Sequence, residues 1–250
     1  MLNPADRMEL AQTLCARMVA AHPGDIILGG VYGSTARGTD TPWSDLELTF
    51  VGRDDSGLAG QHLLYRGTAV GYAVYEQSKL EETLANPGLE WPFLMGMLSV
   101  LKVLRGDPAQ LDRWLRLGQA APPEKFKAAL ESHMPALVIE SYGRIRSCRS
   151  RGDATALYPS VLEVLFEMNL ALCLLNRRWV TGDYYQGLQE AFDFPKLPQA
   201  YRDLVPALYR ATTIDAIAPL AETLVHNLWQ LLGEEGIQVA NYQDVAELPL

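Results

Sequence analysis

A glycine-serine turn between two apolar segments is the feature that most constrains the fold of this chain. Residues 25–31 are mainly apolar and end in glycines, which predicts a buried strand that leads directly into a turn and a helix. Gly33 permits the backbone to approach a ligand closely, and Ser34 offers a hydroxyl that can cap the helix. Because free N–H groups at a helix start attract phosphate, and Arg37 adds a fixed positive charge, this turn is a candidate phosphate site.

Two acidic residues follow on the next apolar segment, residues 45–51. Strand periodicity places Asp45 and Glu47 on one face, roughly 6.5–7 Å apart. Two carboxylates at this separation suit a shared Mg²⁺, which usually takes one or two protein carboxylates together with phosphate oxygens. Such a pair alone is usually a solvated strand face. Its combination with the upstream turn favours nucleotidyl transfer that uses one or two magnesium ions.

These residues resemble the nucleotidyltransferase superfamily that includes DNA polymerase beta. Within it, Gly30–Ser34, Arg37 and Pro42–Glu47 look most like the kanamycin nucleotidyltransferases, which are aminoglycoside 4′-O-nucleotidyltransferases. Further similarity covers most of the chain, at Glu90–Pro92, Glu140, Gly143, Arg144, Arg146, Tyr158–Ser160 and Trp179–Thr181.

The resemblance implies transfer of AMP from Mg-ATP to an aminoglycoside hydroxyl, the 4′-OH, with release of pyrophosphate and resulting antibiotic resistance. It implies that Asp45 and Glu47 hold the metal, that both are catalytic, and that Glu140 is the general base. It also implies a homodimer whose subunits complete each other's active sites. The nucleotide-binding residues that it implies are Gly33, Ser34, Arg37, Arg144 and Thr181, although Thr181 is equally typical of a helix-end cap.

One expected acid is missing from its place in the sequence. The resemblance implies a third carboxylate on a later strand, and an equal-length register puts Gly71 there. Glu76 is the nearest acid, but it lies an odd number of residues away and hence on the opposite strand face. Either the third acid is absent, or a bulge or gap brings Glu76 into place.

Three acids are candidates for contacting the substrate, namely Glu76, Glu163 and Glu167. Glu163 and Glu167 share a face of an apolar helical segment, where buried carboxylates need partners. For these two, substrate amines and an arginine are equally acceptable partners.

Composition limits the classes of partner. The net charge of −9 and the pI near 5.0 argue against nucleic-acid binding and suit a polycationic sugar. Three cysteines without metal-ligand spacing indicate reduced thiols. The most apolar segment, residues 161–175, contains two glutamates and is interpreted as too short to span a bilayer. We therefore expect a cytoplasmic protein without a membrane partner.

The predicted architecture is α+β. Residues 1–122 would form a nucleotidyltransferase domain that binds nucleotide and metal, with a small mixed β-sheet and flanking helices. Residues 123–250 would form a helical bundle that carries the general base and part of the substrate site. Pro122-Pro123 marks the boundary, because neither a helix nor a strand continues easily through it.

Two other functions remain open. One is a nucleotidyltransferase of the toxin–antitoxin type, which acts on protein or RNA. The other is an inactive nucleotide-binding protein, which the missing third acid at Gly71 supports.

Overall fold

The structure is a computed structural model that describes residues 2–249, apart from the side chain of Tyr184. The chain forms two compact units, Met1–Ala121 and Pro122–Leu250. The first unit combines a sheet with helices and the second is helical, so the predicted α+β class is confirmed.

The first unit contains a five-stranded mixed sheet. Its strands are β1 (Ile26–Val31), β2 (Leu46–Gly52), β3 (Gln61–Tyr65), β4 (Thr68–Glu76) and β5 (Lys102–Gly106), in the order β3-β4-β2-β1-β5. Only β2 and β4 pair in parallel, and the other neighbours are antiparallel. Strand β5 is five residues long, lies between two helices along the chain and pairs with the edge of β1 that β2 leaves free.

Five helices accompany the sheet: α1 (Pro4–Ala21), α2 (Gly33–Arg37), α3 (Gln77–Ala85), α4 (Trp91–Val100) and α5 (Pro108–Gln119). Helix α1 begins with Pro4 in its first turn, and the Asn3 side chain accepts the Asp6 N–H at 2.9 Å. Buried residues of α1, Ala11 and Cys15, join a core with the inward side chains of β1, β2 and β4.

The second unit consists of α6 (Pro123–His133), α7 (Ile139–Arg151), α8 (Leu157–Asn176), α9 (Tyr184–Glu190), α10 (Tyr201–Arg210) and α11 (Ile214–Glu234). Two single 3₁₀ turns, Ala191–Asp193 and Val245–Glu247, complete it. Helix α8 contacts α6, α7, α9, α10 and α11 and is the central element of the bundle.

Helix α8 is longer than its most apolar segment. It spans 20 residues, and an 18-residue window within it has a mean hydropathy of 1.4, so the whole helix, unlike residues 161–175 alone, is long and apolar enough to cross a membrane. However, 61% of its apolar window is buried within the protein. That burial is typical of the core helix of a bundle.

Candidate active site

The turn between β1 and α2 lies directly against Glu47. The Tyr32 N–H donates to the Glu47 carbonyl oxygen at 3.1 Å, which continues the pairing of β1 with β2. Gly33 begins α2 with φ +65°, and a Cβ at this position would overlap the Glu47 carboxylate. A larger residue here would therefore have a strained backbone and would push the Glu47 side chain aside.

The Ser34 hydroxyl does not cap α2. The helix begins at Gly33, its N-cap residue is Tyr32, and no side-chain cap is formed, so Ser34 lies within the first turn. Arg37 ends the helix and is half-buried. Both residues remain on the short segment that joins the Gly33 turn to the loop before β2, and their contact with nucleotide stays a prediction.

The two acids of the second motif lie close to one phenol. Asp45 is exposed just before β2, and Glu47, the second residue of β2, is half-buried. The Tyr32 hydroxyl donates a hydrogen bond to the Glu47 carboxylate. Burial is the main cause that raises the pKa of Tyr32 well above its usual range. Nearby negative charges, first that of Glu47 and also that of Asp45, raise this pKa further. The phenol therefore stays protonated and serves as a fixed donor.

This donor set fits magnesium shared with a phosphate. Within residues 2–249, no three His, Cys, Asp or Glu side chains are close enough to form a complete metal site. Asp45 and Glu47 supply hard oxygen ligands from one end of β2, beside the glycine turn. Because Mg²⁺ commonly takes one or two carboxylates and completes its shell with water and phosphate oxygens, the two acids suffice.

Glu76 is not brought to these acids. The parallel pairing of β2 with β4 runs unbroken and sets Glu47 beside Gly71, whereas Glu76 lies beside Gly52 at the far end of both strands. That is five residues further on, about 16 Å at 3.3 Å per residue. Glu76 pairs instead with Lys79 at 2.5 Å. The alternative in which a bulge brings Glu76 round is therefore wrong.

A histidine lies beside Gly71, the position at which the third acid was expected. His62 of β3 pairs with Gly71 on the other side of β4, and its Nδ1 lies 3.0 Å from the place that a Cβ at residue 71 would take. Sequence analysis gave His62 no role, because its isolated position shows no metal-ligand spacing. Only the sheet register reveals that Glu47, Gly71 and His62 form one row.

A buried ion pair anchors the loop between the two motifs. Arg7 of α1 donates to Asp40 at 3.0 Å and to the Pro42 carbonyl oxygen at 3.0 Å. The sequence gave no signal for this contact, since an arginine in the first turns of an amphipathic helix usually faces solvent. The loop that leads to Asp45 is thereby fixed to α1.

In the second unit, one guanidinium joins two of the predicted residues. Arg144 donates to Glu140 at 2.6 Å, one turn earlier on α7, and to Glu163 of α8. These hydrogen bonds raise the pKa of Arg144 above its usual value, and the bond to Glu163 has the larger effect. Of the two partners considered for Glu163, the structure provides the arginine. The Glu140 side chain is 66% exposed.

Within the part of the chain that the structure describes, Glu167 binds a backbone N–H and a serine hydroxyl and not an arginine. Its carboxylate accepts the Val138 N–H and the Ser141 hydroxyl, both at 2.6 Å, at the start of α7. Among the described residues no ion pair joins it to an arginine, so that alternative is wrong for Glu167. Its predicted contact with a substrate amine stays a prediction.

Thr181 lies in the segment before α9 and is bound by Glu190. Its N–H and hydroxyl donate to that carboxylate at 2.6 Å and 3.1 Å. It caps neither adjacent helix, because Arg177 is the C-cap residue of α8 and Asp183 is the N-cap residue of α9. The contact of Thr181 with nucleotide stays a prediction.

Known proteins resemble this chain over most of its length. No protein-family model matches it. An aminoglycoside nucleotidyltransferase (4′) of a Bacillus species is 24% identical over 229 residues, which cover 92% of this chain and 89% of the relative. A second protein of that description, from Staphylococcus aureus, is 23% identical over the same shares.

A solved structure shares the fold. It is the crystal structure of a nucleotidyltransferase-like protein from Exiguobacterium sibiricum, with a TM-score of 0.54 and 18% identity, covering 92% of this chain and 77% of that one. The resemblance predicted from the motifs is confirmed by these relatives. The chain is thus a distant relative of the aminoglycoside (4′) nucleotidyltransferases and has the fold of a nucleotidyltransferase.

Proposed function

We propose that this protein transfers AMP from Mg-ATP to the 4′-hydroxyl of an aminoglycoside, releases pyrophosphate and thereby gives antibiotic resistance. The observation that carries the proposal is the meeting of Asp45 and Glu47 with the Gly33 turn at one end of β2. The similarity to aminoglycoside nucleotidyltransferases over 92% of the chain supports the class of acceptor.

The first unit would hold the nucleotide. Asp45 and Glu47 would bind Mg²⁺ together with triphosphate oxygens, and the ion would neutralise charge that develops during transfer. The N–H groups of the Gly33 turn, the Ser34 hydroxyl and Arg37 would hold the phosphates in line for attack. Positioning and electrostatic stabilisation of this kind account for most of the catalysis in phosphoryl-transfer enzymes.

The second unit would supply the base. Glu140 would take the proton of the attacking hydroxyl, for which its carboxylate must come within about 3 Å of that oxygen. Arg144 would fix the orientation of this carboxylate and face a phosphate. Glu163 supports this role, because it holds the other side of the same guanidinium.

We further propose a cytoplasmic homodimer in which each Glu140 serves the nucleotide site of the partner subunit. The net charge of −9 would attract a polycationic antibiotic and repel nucleic acid.

The decisive experiment is the change Asp45→Asn. Purified protein is incubated with ATP, Mg²⁺ and tobramycin, and the products are weighed by mass spectrometry. We expect wild-type protein to add one AMP and Asp45→Asn to add none while its circular dichroism is unchanged. The matched control is Asp112→Asn, the same change on the exposed surface of α5. Turnover at the wild-type rate by Asp45→Asn would refute the metal site.

A mixing experiment tests the shared sites. Asp45→Asn is expected to be inactive as a homodimer, and Glu140→Gln is expected to lose about 10²–10⁴-fold in activity. If the two residues act across subunits, exchange of subunits creates one intact site per mixed dimer, about a quarter of wild-type activity after random mixing. Isolation of mixed dimers with two affinity tags would show that the subunits have exchanged. If these mixed dimers regain no activity, each active site lies within one chain.

One observation favours the alternative of an inactive nucleotide-binding protein, namely the glycine at position 71 beside Glu47. ATP binding without release of pyrophosphate in the presence of any aminoglycoside would support that alternative.

A further inference from the structure

The start of helix α7 has an unusual backbone. Val138, the residue before the helix, has φ +62° and ψ −38°, and the Ile139 N–H donates to the Leu137 carbonyl oxygen at 2.6 Å. This is the γ-turn with positive φ, which is rare and strained, and its central residue is β-branched. Such a conformation persists only where the surroundings impose it. Val138 is also fully buried, so its side chain cannot move outward to relax the turn.

Glu167 of α8 supplies the constraint. Its Oε2 accepts both the Val138 N–H and the Ser141 hydroxyl at 2.6 Å. Helix α7 has no side-chain cap from its own N-cap residue, and the first N–H groups of any helix lack partners within it. The carboxylate from the neighbouring helix therefore performs the task of a cap, and its negative charge suits a helix N-terminus.

Glu140 lies between the two groups that Glu167 holds. Glu167 thus fixes the first turn of α7 on both sides of the candidate base. Glu163, one turn earlier on α8, holds Arg144, which in turn binds the Glu140 carboxylate. Two acids of one helix therefore fix the backbone and the side chain of Glu140.

We infer that Glu167 is a positioning residue that holds the candidate base Glu140 in the orientation required for catalysis. This inference rests on the proposed function, in which Glu140 deprotonates the acceptor hydroxyl. In this role Glu167 would act through Glu140, which replaces the direct contact with a substrate amine that the sequence predicts for it. The strained turn at Val138 would be retained because it orients the start of α7.

A double-mutant cycle tests the inference. The kcat of AMP transfer to tobramycin is measured for Glu167→Leu, Glu140→Gln and the double variant. Because misplacing a catalytic group by about 1 Å can cost about 10²-fold, we expect Glu167→Leu to lose about 10²-fold in kcat. We expect no further loss when Glu167→Leu is added to Glu140→Gln, since the base is already absent. General damage to the domain would lower the activity of both backgrounds equally.

Matched variants control for folding. Glu131→Gln also changes a glutamate that accepts a backbone N–H, that of Gln238 at 2.9 Å, and should keep kcat within about twofold. Val138→Gly should restore much of the kcat of Glu167→Leu, because glycine adopts positive φ without strain. If Glu167→Leu does not fold, Ser141→Ala, which removes one of the two donors, enters the same cycle and should lose several-fold in kcat with no further loss in Glu140→Gln.

The outcomes separate the two levels of the proposal. Equal losses in both backgrounds, or wild-type kcat in Glu167→Leu while Glu140→Gln has lost most of its kcat, would overturn the role of Glu167 alone. Full activity of Glu140→Gln would overturn the base assignment and the inference with it.

Discussion

Arg7 and Asp40 form an ion pair of 3.0 Å in which both side chains are almost fully buried, with 0% and 4% exposed. One residue belongs to the first helix and the other to the loop between α2 and β2. A second bond from Arg7, to the Pro42 carbonyl oxygen, fixes the same loop three residues before Asp45. The position of a predicted metal ligand thus depends on a contact with a helix outside both motifs.

Removing one partner of this pair should be costly. Arg7→Met leaves the Asp40 carboxylate buried without its cation, and breaking a buried pair in this way typically costs about 3–5 kcal/mol. We expect a lower midpoint of urea unfolding with an unchanged m-value. The double variant Arg7→Met/Asp40→Leu should recover most of this loss, because an apolar replacement leaves no buried charge. A single variant as stable as wild type would show that water reaches the site.

Gly33 and Gly38, two glycines with nearly the same positive φ, allow the effect of packing to be separated from that of backbone conformation. Gly33 and Gly38 have φ +65° and +70°, but only at Gly33 would a Cβ collide, and there with the Glu47 carboxylate. Each change to alanine should cost about 1 kcal/mol of stability or more through the positive φ. Gly33→Ala should also abolish AMP transfer by displacing Glu47, whereas Gly38→Ala should remain active. Equal activities would mean that Glu47 moves aside without consequence.

The phenol of Tyr32 should influence magnesium affinity. Tyr32→Phe removes the hydrogen bond that the hydroxyl donates to Glu47. Loss of a partner that orients a metal ligand typically lowers affinity by about 10–100-fold, so the Mg²⁺ concentration for half-maximal activity should rise by that factor. Tyr72→Phe is the control, since Tyr72 lies on the opposite face of the sheet and packs edge-on against Phe50. An unchanged Mg²⁺ requirement in Tyr32→Phe would contradict the prediction.

Two buried thiols should make the fold sensitive to alkali. Burial raises the pKa of Cys15 from 9.0 to about 11 and that of Cys173 from 9.0 to about 12. Above pH 9 the unfolded chain releases these protons while the folded protein keeps them, so stability is present below pH 9 and declines as the pH rises. The free energy of unfolding, measured between pH 8 and 10, should therefore fall.

Each thiol contributes a slope that approaches about 1.4 kcal/mol per pH unit. The double variant Cys15→Ala/Cys173→Ala should show a smaller slope over the same interval. If the slope of the double variant equals that of wild type, groups other than these two thiols account for the loss of stability at alkaline pH. A thiol reagent offers a second measurement, since both cysteines should react only when the protein unfolds.

The local elements of this fold follow from short patterns in the chain. Asn3 and Pro4 predict the start of α1, and the glycine-rich end of residues 25–31 predicts β1 and its turn. The alternation of residues 45–51 predicts β2, and the change from strands to helices predicts the two kinds of unit. These signals are readable because periodicity, caps and turns involve residues within a few positions of one another.

Other parts of the structure depend on partners that are distant in sequence. Whether Glu76 or Gly71 lies beside Glu47 is decided by the register of β2 against β4, which no local pattern specifies. The short segment Lys102–Gly106 becomes a strand only because β1 has a free edge to pair with.

The sequence by itself thus determined the kind of chemistry, because the acids and the turn are encoded within one short segment. The tertiary structure alone decided what holds the candidate site residues of each unit in place, as in the contact of Arg7 with Asp40, 33 residues apart, before Asp45, and that of Glu167 with Val138, 29 residues apart, before Glu140. The physical reason is that a buried polar group takes whichever partner the packing of the whole domain brings to it.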